Sequence, residues 1–349
     1  MEKRINHKKL KKFLLEVLQK AGLDKHSRES VCMGLYEASI RGVDSHGVRL
    51  LNHYVNSAIK GRKNPKPHYK FHKPFPALGV LNADNAFGHA AGIKAIDICM
   101  KIANKFGVGI VAVKNSSHPG ALATMTLRAA RKNYIAYAFT HADSLLLSHS
   151  GKKAYFGTNP ICFAAPRKEK EPFCIDMATS MISWNKLLIL RNKNKILGNN
   201  LAADANGKIT KNPNKARTLL AAGSYKGYAL ASMVEILCGV FTGMNFGTRI
   251  PAMYVYSMHK PRKLGQFYMV FKPNAALSLN SFLKRMQTLT SQVRKQKSRT
   301  KKDKVMMPND PEIIEQKIRL KKGVPLDAET QKNFRELSKK FKVNLKFLN

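Results

Sequence analysis

Two histidines in this chain sit in short polar turns of the kind that present a side chain to a bound molecule. His118 lies in Asn115-Ser116-Ser117-His118-Pro119-Gly120, straight after the strand-like run at residues 108–113. His46 lies in Asp44-Ser45-His46-Gly47-Val48-Arg49, at a corner between two helical patterns. A rigid strand that gives way to a glycine-bearing turn can hold a reactive group against a ligand. Imidazole titrates nearest neutrality, so it can take or give a proton at ordinary pH. A lone strand-end histidine is more often a satisfied structural residue. The weight therefore falls on the company it keeps.

Three further stretches carry polar chemistry beside apolar runs: Gly157-Thr158-Asn159-Pro160, Asp176-Met177-Ala178-Thr179-Ser180 and Ser224-Tyr225-Lys226-Gly227-Tyr228. Each alone reads as a turn, a cap or a helix start. Together with the two histidine turns they supply imidazoles, a lysine, an arginine and hydroxyls. Those groups suit binding a small carboxylate and moving one proton. The letters Gly107-Val108-Gly109-Ile110-Val111-Ala112 match a dinucleotide fingerprint, but they follow a helix and lie within a strand. The fingerprint needs the reverse order, with glycines opening a helix N-terminus to the pyrophosphate, so this reading is rejected.

The elements that must position these turns follow from periodicity. Helical spacing covers residues 10–21, closed by Gly22, and 27–41, closed by Gly42; a third helix begins near Val48 and carries Leu51 and Tyr54. Residues 61–77 are polar and proline-bearing and read as an extended linker. From there strand and helix alternate. Strands are expected at 77–81, 108–113, 134–140, 161–165 and 266–271, and helices at 89–106, 121–132, 226–243 and 310–342. This alternation predicts an α/β core with buried strands.

With 349 residues, 44% of them hydrophobic, the chain can bury sizeable cores. The N-terminus opens on a charged amphipathic pattern, and no run approaches about 18 apolar residues. A cytoplasmic protein without a membrane span is expected. The five cysteines, Cys32, Cys99, Cys162, Cys174 and Cys238, are scattered without metal-type spacing and read as small buried hydrophobes. The net charge of +41 invites a nucleic-acid reading. Yet the lysines are spread along the chain, and the dense run at 294–304 has no interleaved aromatics and reads as a solvated linker. No specific nucleic-acid partner is expected.

Taken in order and spacing, Asp-Ser-His-Gly, Asn-Ser-Ser-His-Pro-Gly-Ala, Gly-Thr-Asn-Pro, Asp-Met-Ala-Thr-Ser and Tyr-Lys-Gly-Tyr resemble the malate/L-lactate dehydrogenase family of the second, non-Rossmann type. The likeness covers nearly the whole chain and is nearest the ureidoglycolate dehydrogenase branch. It implies an α/β fold whose cofactor domain has a mixed sheet, with a helical N-terminal segment packing with the C-terminal part. The implied division is 1–73 and 223–349 for the substrate and dimerisation part, and 74–222 for the cofactor domain. It also implies a homodimeric oxidoreductase that moves a hydride between NAD or NADP and a small anionic 2-hydroxy or 2-oxo acid. Under this resemblance His118 or His46 is the proton-transferring residue, and Asp143 is a candidate to orient it. Ser45, Arg49 and Tyr54 become candidate substrate contacts. Ala142, Thr158, Asn159, Asp176, Met177, Ala178, Lys226, Asn309 and Asp310 become candidate cofactor contacts. No metal is implied.

The chain departs from the family pattern in places. The family's arginine falls at position 50, where this chain has Leu50 and carries Arg49 one residue earlier. A one-residue step turns a helical side chain by about 100°. Asn185 and Asn309 stand where the family has glycines, and Leu201 where it has tryptophan. Two competing readings remain: a nucleic-acid-binding protein that uses its charge, and a family member that keeps the fold without turnover.

Overall fold

The computed structural model of the chain describes residues 3–168, 171–254, 257–300 and 303–346. It begins with β1 (Lys3–Ile5), α1 (His7–Lys20), α2 (Lys25–Ile40), α3 (Leu51–Ile59), β2 (Lys70–Phe75) and β3 (Leu78–Asn82). Then come α4 (Gly88–Phe106), β4 (Val108–Ser116), α5 (Ala123–Ala130), β5 (Ile135–Thr140), β6 (Leu146–Leu147) and β7 (Ala154–Phe156). These are followed by β8 (Ile161–Ala165), β9 (Phe173–Met177), α6 (Trp184–Asn192), β10 (Ala202–Ala203), β11 (Thr218–Leu219) and α7 (Tyr225–Glu235). The chain ends with β12 (Leu264–Phe271), α8 (Leu279–Arg294), α9 (Asp310–Lys322), β13 (Val324–Leu326) and α10 (Ala328–Phe341).

Seven strands form the main sheet in the order β2-β3-β4-β12-β5-β8-β9. Only β3 and β4 run parallel, joined by α4 as a crossover; every other neighbour is antiparallel. The fold is α/β with mixed sheets. Its largely antiparallel sheet leaves no room for a Rossmann arrangement, in which parallel strands open on a dinucleotide crevice. Gly107 closes α4 at φ 79 and hands over to β4, so the fingerprint-like letters do lie at a helix end and inside a strand. The central strand β12 comes from the segment 223–349. Tyr268 and Val270 are buried on one face and Phe267 on the other, as a strand covered on both faces requires.

α4 and α5 cover one face of the sheet through Ile96, Cys99, Met125 and Leu127. α7 covers the other through Val234, with Cys238 of the next turn, against Ala112, Phe139 and Phe267. A separate core joins both ends of the chain. Leu10, Phe13, Leu14, Leu35 and Tyr54 pack with Val324, Phe334 and Leu337, and β1 pairs with β13. The helical N-terminal segment therefore packs with the C-terminal part. Asn6 caps α1 by accepting from the Lys8 and Lys9 amides, a contact worth about 1 kcal/mol.

Three expectations need correction. The segment 61–77 is not all linker: residues 70–75 form β2, an exposed edge strand carrying Lys70, Lys73 and Pro74. Charge and proline suit an edge because they discourage pairing with another chain, and the same residues hid the strand from an apolar-pattern reading. The segment 310–342 is not one helix. Gly323, at φ 86, stops α9, and β13 intervenes before Asp327 caps α10. The expected helix 226–243 is also shorter in its α-helical part, passing into a wider π-type turn at Ile236–Val240. All five cysteines are buried and unbridged. No helix among the described residues is long and apolar enough to cross a membrane. Lys301 and Lys302 of the basic run lie outside the described residues.

Candidate active site

A cleft of about 790 Å³ brings the two histidine turns together with the edge of the main sheet. His118 follows β4 directly. Its turn is pinned from behind: the Gly88 amide donates to Ser117 Oγ at 3.0 Å, and Gln266 Nε2 donates to Ser116 Oγ at 2.9 Å and the Ser117 carbonyl at 3.1 Å. Gly88 leaves no space for a side chain; a Cβ there would meet the Ser117 carbonyl at 2.1 Å. The His46 and His118 rings stack with centroids 5.6 Å apart. Tyr54, from α3, shares a hydrogen bond of 2.8 Å with His118 Nδ1. Ser45 Oγ shares one of 2.9 Å with His46 Nδ1.

Burial and neighbouring positive groups keep both rings neutral. His46 is pushed down to about 4 by desolvation and then by Arg49. His118 is held well below the ordinary histidine value by desolvation, then by His46, Lys63, Arg262 and His89. A neutral imidazole keeps a lone pair, so it can accept a proton.

The expected role of Asp143 is corrected by its partners. Arg262 Nη2 and the Met253 amide engage its carboxylate, and His118 Nδ1 is held by Tyr54 instead. Arg262 is buried, lines the cleft and also donates to the Pro251 carbonyl at 2.8 Å. In a chain with 62 lysines and arginines nothing in the sequence marks this one out. Three other lining residues escaped notice as contacts. Asn185 donates to the Ser45 carbonyl at 2.9 Å and accepts from the Tyr254 hydroxyl at 2.7 Å; Trp184 lies beside it.

A second group lines the cleft from β9 and the start of α9. Thr158, Asp176, Met177, Ala178 and Asn309 all face it, as does Ala142. Asp176 is open to the cleft but crowded by protein, and burial raises its carboxyl to about 6. It accepts from the Ala123 amide at 2.8 Å. Arg41 lines the cleft with its guanidinium bonded to Asn309 Oδ1. Its Nη1 is buried, pairs with Glu171 at 3.7 Å and makes no hydrogen bond among the described residues.

The remaining candidates stand behind or beside this surface. Asn159 is fully buried, accepting from the Ala142 amide and donating to the Ala231 carbonyl and Glu235. Asp310 turns to Arg294 and caps the Met307 amide. Arg49 is half-buried near His46 and Tyr254, and Lys226 is exposed at the start of α7. No cluster of metal-ligating side chains occurs among the described residues.

Comparison with known proteins adds an independent line. The sequence profile described as malate/L-lactate dehydrogenase matches residues 5–335. Ureidoglycolate dehydrogenase (NAD(+)) of Escherichia coli K12 is 33% identical over 271 residues, 78% of this chain and 77% of its own. Malate dehydrogenase of Pyrococcus abyssi is 29% identical over 350 residues, 97% of this chain and 95% of its own. The crystal structure of malate dehydrogenase from Entamoeba histolytica superposes with a TM-score of 0.93 at 26% identity, covering 99% of both chains. Sulfolactate dehydrogenase from Methanocaldococcus jannaschii gives 0.89 at 26% identity, covering 98% of each.

Proposed function

Because this chain belongs to the malate/L-lactate dehydrogenase family, a family of hydroxy-acid dehydrogenases, we propose that it moves a hydride between a nicotinamide dinucleotide and C2 of a small 2-hydroxy acid. The observation that carries the reading is the neutral His118 imidazole, fixed by Tyr54 and facing the same cleft as Asp176 and Arg41. When the C2 hydroxyl is oxidised, C2 loses hydrogen with its electron pair and the hydroxyl loses a proton. His118 Nε2 takes that proton while Nδ1 stays on the Tyr54 oxygen. His46, stacked on it, shapes the same pocket and is the alternative proton carrier. Arg262, which lines the cleft beside its ion pair with Asp143, holds the substrate carboxylate, with Ser45 at the near wall and Arg49 behind it. Charge-assisted bonds of this kind are about twice as strong as neutral ones.

The residues present fit a dinucleotide. The Arg41 guanidinium, whose Nη1 pairs with Glu171 without a hydrogen bond, and the start of α9 suit phosphate oxygens, and the Asp176 carboxylate suits hydroxyls. Bound there, the nicotinamide supplies or accepts the hydride. Ala142, Thr158, Asp176, Met177, Ala178 and Asn309 would hold it directly. Asn159 and Asp310 act from behind by fixing Ala142 and the start of α9, and Lys226 would contact the dinucleotide from its exposed position at the start of α7. The ureidoglycolate dehydrogenase of Escherichia coli K12 is named for NAD(+), which favours NAD here. We assign a second copy of this chain to the exposed apolar stripe of Leu230, Met233, Ile236, Val240 and Phe241.

Purified protein mixed with NADH or NADPH and a panel of 2-oxo acids, including oxaloacetate and pyruvate, tests the reading; ureidoglycolate with NAD is run in the reverse direction. Loss of the reduced-nucleotide absorbance with at least one acid is expected. Nucleotide binding without turnover on any acid would favour a member that has lost activity. DNA binding that survives physiological salt, without nucleotide binding, would favour the charge-based reading.

A further inference from the structure

A buried lysine stands behind the imidazole pair and has no part in the scheme above. Lys63 is 2% exposed, and its Nζ has no hydrogen-bond partner among the described residues. The amine lies over the Tyr54 ring, 4.1 Å from the centroid, and 4.9 Å from that of Phe87. The hydroxyl of that same Tyr54 meets His118 Nδ1. An unpaired buried ammonium carries a heavy desolvation cost, and an apolar side chain of similar length would fill the space without it. The two ring faces favour the charged form. Burial, then Arg262 and Arg62, oppose it and hold the amine well below the ordinary lysine value. A basic group retained against that opposition points to a use.

The groups facing this pair come from every surrounding element. α3 supplies His53 and Tyr54, and Arg62 precedes Lys63 in the chain. α4 supplies His89, the Asp44–His46 turn supplies His46, and the segment before β12 supplies Arg262. Asp143, already paired with Arg262, is the acidic group that faces Arg62. A set so poor in negative charge takes up protons one at a time, because each new charge opposes the next.

We propose that Lys63 and His118 compete for one proton, which makes Lys63 a positioning residue of the proton-transfer site. Its neutral amine seats the Tyr54 ring so that the hydroxyl rests on Nδ1. Its protonation makes His118 a poorer base. The proposal rests on the reading of His118 as the group that moves the hydroxyl proton.

The test uses the full chain labelled with ¹⁵N-histidine, as wild type and as Lys63→Met, with the His118 ring signal assigned through His118→Asn. Imidazole shifts are followed from pH 8 downward, beside thermal unfolding and the pH profile of hydroxy-acid oxidation. Removing the competitor makes the imidazole easier to protonate. The His118 midpoint and the acid limb of kcat/KM therefore move up together, by about half a pH unit or more, while the thermal midpoint holds or rises. Lys63→Leu serves as a second variant should the methionine not fold. Unchanged midpoints in a folded variant overturn the proposal, as does an imidazole that stays unprotonated down to acid unfolding in both proteins. Full turnover in His118→Asn would instead overturn the reading of His118, while the ring titration still decides the role of Lys63.

Discussion

Around His118 the cleft is walled by rings and a guanidinium, and its carboxylate, Asp143, is already taken by Arg262. Around Asp176 it is walled by thioethers and main chain, with two carboxylates, Asp176 and Glu312, set against Arg41. The first group is desolvated and short of negative charge, so it suits a small anion and a mobile proton. The second is open and mixed in charge, so it suits a long ligand held at many weak points. On the proposed reading, chemistry and binding energy are drawn from different walls of one cleft. Binding that is equal in ground and transition states changes KM, and only interactions specific to the transition state change kcat.

The sharpest way to break that division is a pair of substitutions. His118→Ala is expected to lower kcat by about 10²–10⁴ and leave the nucleotide Kd unchanged, read by steady-state kinetics and fluorescence titration. Asp176→Asn is expected to do the reverse: about tenfold weaker nucleotide binding with kcat nearly intact. Equal losses in both parameters from either variant would merge the two walls into one.

A smaller effect concerns stability. His53 and His89 are both held down to about 3 by burial and then by the neighbouring Lys63, and His46 to about 4. The unfolded chain binds protons on these rings from about pH 6.5 downward, while the folded chain does not. Stability is therefore full above that value and falls as the pH drops from about 6.5 towards 3. Scanning calorimetry across this range should show a declining thermal midpoint. A flat midpoint would mean that the rings beside His118 are not held down in the folded chain.

The chemistry of the His118 wall was partly legible in the sequence, because histidines in polar turns stand out by type. Its supports were not. Lys63 and Arg62 sit in what reads as a polar linker. Arg62 nevertheless donates to the carbonyls of Ala252 and Met253, the second of them at 2.7 Å, and so ties down the segment that lines the cleft. Arg262 is hidden among many cations. Tyr54 was visible as a helix residue and as a substrate candidate, but its partnership with His118 depends on how α3 meets the end of β4, which no local pattern encodes. The Asp176 wall stood out in the sequence only as polar turns beside apolar runs, and its link to a cofactor came from the resemblance, since main chain at a strand end leaves no mark of residue type. In the fold, long apolar periods such as α4 and β12 were clear from spacing alone. Exposed β2 and the three-residue β13 were not, because neither buries enough on one face to produce a pattern.

A crystal structure of the chain with NADH and oxamate, an unreactive 2-oxo acid analogue, tests the central claim most directly. The account predicts the nicotinamide ring in the cleft beside Met177 and Ala178, with the oxamate between its C4 and His118 Nε2, within hydrogen-bond reach of the imidazole. A nucleotide seated away from both His118 and His46, or an oxamate bound out of reach of either ring, would contradict it.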